Sequence, residues 1–533
     1  MSTECVDTLS YTTNNQKKEP RPVKKTRLSF DRIGALIGQL YHSPTNKIKM
    51  KNFALLLLCL LIGAETSVYA QGEEKTKGLN SQIAESNTSA KENSKTPKKK
   101  INITSPSTSG EDLGDPSTET TSTSDSLNLA KEAEMVGKEG EEADEEVEGK
   151  LSISGYIDSY YFTNFNKPAS RDNMGVSGVG RGFDRKVDQF ALGMVQTMFT
   201  YTNQKSEAVL DLAYGPNAQY GNYGNVPTAL PAYGYQFGKD DLFSALIIKQ
   251  AYFKYHLTEK LSFTLGQFGT HIGYEYIDAP LNFFYSINHT FNSGIPFYHT
   301  GLKSTYVFND KVSLMLGVVN GFDYVQDNNR SKGLIGQLSL APVKGLSIYF
   351  NYINTNEASA DELGKTPDGN FTVYDLNGGF QVSEKFNIGY WFMLGSQKGA
   401  LGSPGTFIPA DGDVISKKEW YGANLYLTFA ASDVVSFGLR GEHFNNEDGA
   451  RGLRNYDNAS GSYLGTSVNA LTFTTNVTLA GGHLLLKPEL RMDVFKKVDD
   501  AGYEEGSQQF MDADGLYTKN SQTTLGMAAI YKF

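Results

Sequence analysis

The chain has 533 residues, with 31 Tyr, 31 Phe, 54 Gly, only 2 Cys and a formal charge of -10. Outside one short segment no apolar run approaches the roughly 20 residues a membrane helix needs, and the acidic balance argues against a nucleic-acid partner. A negative mean hydropathy does not by itself mark a soluble protein, because every second residue of a transmembrane β-strand faces a lumen and not lipid.

The N-terminal region has the parts of an export signal. Lys47, Lys49 and Lys51 form a positive flank, Phe53 to Ala64 is a short apolar core, and Val68-Tyr69-Ala70 supplies small residues where a signal peptidase reads. Residues 50–70 are therefore expected to be a signal peptide, with the mature chain starting at Gln71. Residues 1–49 are basic and polar, and a start codon placed too early explains them; a long n-region is the alternative. Both cysteines, Cys5 and Cys59, precede the cut, and Leu58 makes Cys59 a poor lipoprotein site. The mature chain then has no thiol, which fits an oxidising compartment.

From Gln71 to about Gly149, Ser, Thr, Lys and Glu dominate, with a basic knot at Lys98-Lys99-Lys100 and an acidic run from Glu139 to Glu148. Such a stretch buries too little apolar surface to offset its chain entropy, and reads as a disordered periplasmic linker. A tether to the cell wall or to a partner is the functional alternative.

At Leu151 the pattern changes. A tight polar turn followed by strict apolar/polar alternation recurs: Thr258-Glu259-Lys260 before LSFTLG, Asn309-Asp310-Lys311 before VSLMLG, Ser383-Glu384-Lys385 before FNIGYW. About sixteen strands of the roughly 9–11 residues that cross an outer membrane are expected, starting near 151, 188, 206, 245, 261, 298, 312, 333, 345, 371, 386, 419, 434, 468, 483 and 522. Gaps are short after even strands and long after odd ones. The fold class is thus all-β, a closed antiparallel transmembrane barrel over residues 150–533, with both termini on the short-turn, periplasmic side.

Leu314, Leu316 and Val318, then Phe386, Ile388, Tyr390 and Phe392, would face lipid. The opposite faces carry Asp158, Asp211, Lys303, Arg440 and Glu442, and at every second position Lys487, Glu489, Arg491 and Asp493. A basic residue in mid-hydrocarbon costs about 2–4 kcal/mol, so these nine residues are expected to line a water-filled pore. Two features strain the pattern: residues 187–201 alternate poorly, and Pro488 inside a strand suggests a bulge. The terminal strand closes on Tyr531 and Phe533, an ending that resembles the signal read by the outer-membrane assembly machinery.

The run Gly266-Gln267-Phe268-Gly269-Thr270-His271-Ile272-Gly273-Tyr274-Glu275 is followed by Pro296-Phe297-Tyr298-His299-Thr300-Gly301-Leu302 and Val319-Asn320-Gly321-Phe322-Asp323, with Gln250-Ala251-Tyr252-Phe253 upstream. In this order and spacing the motifs resemble the putative β-barrel porin-2, OmpL-like family of Gram-negative outer membranes. The resemblance covers roughly 150–533 and implies a channel, but carries over no catalytic residues.

Signs of catalysis are weak. The seven His residues form no HExxH and no local cluster. Ser286 and His289 are close in sequence, though a barrel phospholipase needs such a pair on its lipid face. Gly178-Val179-Gly180-Arg181-Gly182 reads as a loop, and Asp512-Ala513-Asp514-Gly515 lacks the carboxylates that complete a calcium loop. No catalytic residue, metal site or cofactor is expected. Asp411, Asp413, Glu447 and Asp448 could bridge divalent ions to lipopolysaccharide, and Tyr220, Tyr223, Tyr233 and Tyr235 could stack on sugars; plain loop roles are the alternative.

The connection from Thr270 to Pro296 is the third external loop. By analogy with general porins it is expected to fold into the barrel as a constriction, with Glu275 and Asp278 facing wall cations such as Lys303, Arg440, Lys487 or Arg491; a lid over the mouth is the alternative. The function expected is passive diffusion of small hydrophilic solutes. The alternatives are a non-conducting adhesin or scaffold, an outer-membrane hydrolase and a soluble all-β binding protein. Expected partners are outer-membrane lipid, lipopolysaccharide, the assembly machinery and a possible second copy of the chain.

Overall fold

The computed structural model describes residues 149–221, 247–325, 327–358, 368–401, 407–408, 416–457, 461–498 and 508–533. The expected early start, signal peptide and linker lie outside these residues, as do Tyr223, Tyr233, Tyr235, Asp411 and Asp413.

Sixteen strands close into one antiparallel barrel. They are β1 (Lys150–Asn164), β2 (Gln189–Thr202), β3 (Ser206–Tyr214), β4 (Ile248–His256), β5 (Leu261–Gly269), β6 (Tyr298–Asn309), β7 (Val312–Val319) and β8 (Gly333–Leu340). The second half is β9 (Leu346–Asn356), β10 (Asn370–Gln381), β11 (Phe386–Lys398), β12 (Lys417–Ala430), β13 (Val435–Asn446), β14 (Thr466–Leu479), β15 (Leu484–Phe495) and β16 (Ser521–Lys532). Each strand pairs with the next, and β16 returns to β1 with Tyr161 opposite Met527. Closure leaves no sheet edge, which is the condition for strands to cross hydrocarbon.

The short turns form because polar side chains satisfy the backbone there. Asn203 Oδ1 accepts from the N–H groups of Lys205 (3.0 Å) and Ser206 (2.8 Å), Asn309 Oδ1 from Lys311 N–H (2.9 Å), and Thr258 Oγ1 from Leu261 N–H (3.0 Å). These are the local side-chain bonds that make Asn and Thr turn residues. The period-2 pattern then places Leu210, Leu316, Leu439, Phe473 and Leu525 on the outside, where Leu316 is 56% exposed. A continuous apolar belt around a closed barrel is the surface that a bilayer covers.

Both irregularities have physical causes. In the β1–β2 ladder Ile157 pairs with Val195 but Ser159 with Leu192, so β2 carries an extra residue opposite Asp158. Met194 N–H donates to Asp158 Oδ1, and the shift of parity explains the poor alternation of β2. A second bulge puts the extra residue in β4: Asp211 pairs with Gln250 and Leu212 with Ile248, leaving Lys249 outside the ladder and turned inward. Pro488 makes no bulge, which corrects the expectation from sequence. The β14–β15 ladder lapses beside it and resumes in the same register, Thr474 with Glu489 and Val477 with Leu486. A missing donor costs a rung here without displacing the strand.

The two faces differ in tolerance. Leu316→Arg should lower the unfolding free energy in lipid by about 2–4 kcal/mol, whereas Ser313→Arg on the inner face of the same strand should change it little. Urea titration of the barrel refolded into bilayers measures both.

Candidate functional site

The third long loop, residues 270–297 between β5 and β6, lies inside the barrel. It carries a single-turn helix, α1 (His289–Gly294), all six residues of which are buried. The wall makes room for it with glycines. A Cβ at Gly389 would lie 2.2 Å from the Tyr274 hydroxyl, at Gly422 2.3 Å from Thr290 Cγ2, and at Gly438 2.3 Å from a Phe283 ring carbon.

Charged wall residues bind the loop's backbone. Arg440 donates to Ser286 O (2.7 Å) and to Glu275 Oε1 (2.6 Å), while Glu275 Oε2 accepts from Asn288 N–H (2.8 Å). Glu489 accepts from the N–H groups of Tyr285 (2.8 Å) and Ser286 (3.1 Å). Glu442 accepts from Thr290 N–H (2.8 Å), Arg491 donates to Ile287 O (2.7 Å), and Lys487 to Ala279 O (2.9 Å). Non-helical backbone at membrane depth survives only where such partners exist.

The first long loop, residues 165–188, packs on the same wall. Arg181 is fully buried and bonds Asp184 and Asp493 (3.0 Å). Asp493 also receives Arg491 Nε (2.8 Å) and Gln522 Nε2 (3.1 Å), and lies 3.1 Å from His289 Nε2. The carboxylate thus joins two loops to the wall. Helix α1 is capped at both ends: Asn288 Oδ1 accepts from Phe291 N–H (2.7 Å), and the last carbonyls take Arg451 Nε on Ser293 O (2.9 Å) and Trp420 Nε1 on Gly294 O (2.9 Å). The Arg451 guanidinium sits among the rings of Phe322 (4.7 Å), Trp420 (5.2 Å) and Phe371 (5.3 Å), a cation–π setting.

The other side of the bore is open. A cavity of about 880 Å³ runs along the inner wall of β3 to β9, from the turns at Asn203–Lys205 and Leu257–Glu259 to the inserted loop at His271, Glu275 and Asp278. Its wall is mixed, with Lys254, Thr264, Lys303, Ser313 and Gln337 beside Phe268, Ile272 and Met315.

The nine wall residues expected from sequence all lie on the inner side, but the expectation of a solvated lumen around most of them is corrected. Asp158, Asp211, Arg440, Glu442, Lys487, Glu489, Arg491 and Asp493 are buried, at 0–6% exposure, because the loops pack on them. Lys303 differs: it is half-buried and lines the cavity. The loop carboxylates lie at the cavity's edge. Glu275 meets Arg440, one of the four cations expected from sequence; Asp278 meets Lys249 (2.6 Å), which is not among them, and Tyr156 OH (3.1 Å). Lys249 also reaches Asp211 (3.0 Å). Strand alternation does not reveal Lys249, Arg181, Asp184 or Arg451. The Gly-rich frame around Arg181 reads only as a loop, and regular alternation would turn Lys249 outward, whereas the β4 bulge turns it inward.

The remaining motifs that fall on described residues make the following contacts. Ser286 and His289 are wholly buried inside the barrel, away from the lipid face. Asp512 Oδ1 accepts from the N–H groups of Asp514 and Leu516 (3.0 Å each), so its carboxylate serves its own turn. Tyr220 is buried, with its hydroxyl on Asn292 Oδ1 (3.0 Å). Glu447 pairs with Lys496 (3.2 Å), and Asp448 accepts from Glu419 N–H (2.9 Å). Among the described residues no group of three His, Cys, Asp or Glu is placed to hold a metal ion.

Residues 150–533 match the family described as Putative beta-barrel porin-2, OmpL-like, and the chain belongs to it. The family makes the barrel an outer-membrane porin or channel. No curated protein matches. Among solved structures the chain is similar to the outer membrane channel DcaP of Acinetobacter baumannii (12% identity, TM-score 0.44, 72% of this chain and 97% of that one). It is also similar to OprB of Pseudomonas putida (11%, 0.42, 72% and 94%) and to a loop L8 deletion mutant of OmpT of Vibrio cholerae (10%, 0.42, 72% and 99%).

Two outcomes test the packed half. Arg440→Met strands Glu275 without its partner and should destabilise the barrel by about 3–5 kcal/mol, with much of the loss recovered in Arg440→Met/Glu275→Met; urea midpoints in bilayers report both. Glu357, one residue beyond β9, accepts from Phe322 N–H (2.9 Å), and burial pushes its carboxyl up to about 8. An acid with a raised folded value binds its proton more tightly when folded, so stability should fall as pH rises from about 4.5 to 8, at up to about 1.4 kcal/mol per unit. Glu357→Gln should remove this contribution, so that the urea midpoint falls less steeply with pH than in wild type.

Proposed function

We propose that the protein is a porin through which small hydrophilic solutes diffuse passively along the β3–β9 side of the bore, with no residue acting as a catalyst. The reading is carried by the cavity of about 880 Å³, which has ionic and hydroxyl side chains among its lining and reaches the short-turn end of the barrel. At about 30 Å³ per water molecule that volume holds a few tens of waters. In this reading the short turns face the periplasm and the long loops the exterior, residues 50–70 are the export signal, and Phe533 ends the strand read by the assembly machinery. Lipid and lipopolysaccharide surround the apolar belt and its polar rim.

One observation favours a second reading. The loops fill the β10–β16 and β1 side with buried ion pairs, the interior a non-conducting barrel serving as adhesin or scaffold would have. Single-channel recording in planar bilayers separates the two. The porin reading expects discrete, ohmic conductance steps from protein that keeps its heat-resistant fold; folded protein that gives no steps overturns it in favour of the scaffold.

A further inference from the structure

We propose that the acidic segment 139–148, which leads directly into β1, docks on the lysine-bearing short turns at the entrance to the open half of the bore. The occupant of that rim is thus a stretch of the chain itself. The docking stands apart from the porin reading; its effect on ion passage rests on that reading.

Chain order fixes where the segment starts. Lys150, the first residue of β1, is opposite Thr202 at the end of β2. Thr202, Asn203, Gln204 and Lys205 line the short-turn end of the cavity. The Tyr201 side chain fills the place where a Cβ on Gly149 would stand, so a glycine lets the chain pass this close to β2. The segment therefore begins at the edge of the entrance. Its ten residues extend at most about 33–36 Å. Neighbouring strands are about 4.8 Å apart, so the β6–β7 turn lies within about 29 Å along the wall.

The turns of the barrel are not alike. Over the open half each carries a lysine: Lys205, Lys260, Lys311 and Lys344, with Lys385 at its border. All five are exposed. The turns over the packed half, 431–434 and 480–483, carry none; they hold Asp433 and His483. Turn formation does not require these lysines, because Asn203, Thr258 and Asn309 hold the backbone. Carboxylates share the rim, namely Glu259, Asp310 and Glu384, and a row deeper Glu207 is opposite Lys254. With Lys150 at its edge the rim still carries an excess of cations.

The segment is complementary to that rim. Seven of its residues are Asp or Glu and none is Lys or Arg. Each exposed ion pair contributes little alone, but a short tether holds the segment at an effective concentration of about millimolar. Such an association is salt-sensitive, since the screening length falls from about 10 Å at 0.1 M to about 3 Å at 1 M. Seated on the turns, the segment places carboxylates over the entrance, and fixed negative charge at a narrow wet mouth favours cations.

The experiment treats the folded full chain with a glutamyl endopeptidase and compares cleavage after Glu142 and Glu146 with cleavage after Glu92, farther upstream. At about 0.1 M salt the first two sites should be cut about tenfold more slowly, and about 1 M salt should abolish the difference. Lys205→Gln/Lys260→Gln/Lys311→Gln should abolish it at both salts, whereas Lys186→Gln, at the long-loop end, should leave it intact. Carbodiimide coupling at low salt should join carboxylates of residues 139–148 to Lys205, Lys260 or Lys311, as read by mass spectrometry. Equal cleavage at all three sites in low salt, or protection that survives in the triple variant, overturns the docking, even if the channel conducts. In a conducting channel, amides in place of the seven carboxylates should move the reversal potential in a KCl gradient toward chloride; an unchanged potential overturns the placement over the entrance. Protection in a folded protein that gives no conductance upholds the docking and overturns the porin reading alone.

Discussion

Irregular backbone inside a closed barrel has to find hydrogen-bond partners there, and the rest of this interior follows from how it does so. The loop from Thr270 to Phe297 cannot pair with the sheet, whose own peptide groups are already used in the ladders. Its carbonyls and N–H groups are met by side chains: Arg440 on Ser286 O, Arg491 on Ile287 O, Lys487 on Ala279 O, Glu489 on Tyr285 and Ser286 N–H. Ionised partners form stronger bonds than neutral ones. The loop can therefore be held at many points without a sheet or a long helix.

Much of this architecture is legible in the sequence, because the signals are local. Turn chemistry at Asn203, Thr258 and Asn309 and the period-2 alternation locate the strands closely; β6 is expected near 298 and begins at Tyr298. The contents of the barrel are less legible. An inward Arg that meets water and an inward Arg that meets a peptide carbonyl produce the same alternation, so Lys487, Glu489, Arg491 and Asp493 read as wet when they are dry. The distinguishing signal is present but indirect: Gly389, Gly422 and Gly438 leave the inner face bare where Tyr274, Thr290 and Phe283 insert. Bulges hide more, since a single extra residue in β2 or β4 reverses parity and conceals Lys249, whose ammonium positions Asp278.

The filled and open halves are consequences of one another. Each charge on the β13–β15 wall is consumed by a loop peptide or by a neighbouring charge, as Asp493 is by Arg181 and Arg491. A buried pair of this kind contributes little net stability when intact, because desolvation offsets its attraction. It still specifies position, since displacing the loop leaves several charges unpaired at once. The loop is then a fixed partition, and the bore beside it keeps its width.

A fixed partition also decides where the field in the passage comes from. Charges in the packed half are coupled to one another, as Asp493 is to Arg181 and Arg491. Lys254 of β4 and Lys303 of β6 line the cavity itself. The loop thus separates the residues that hold it, Arg440 and Arg491 among them, from those that line the cavity, such as Lys254 and Lys303.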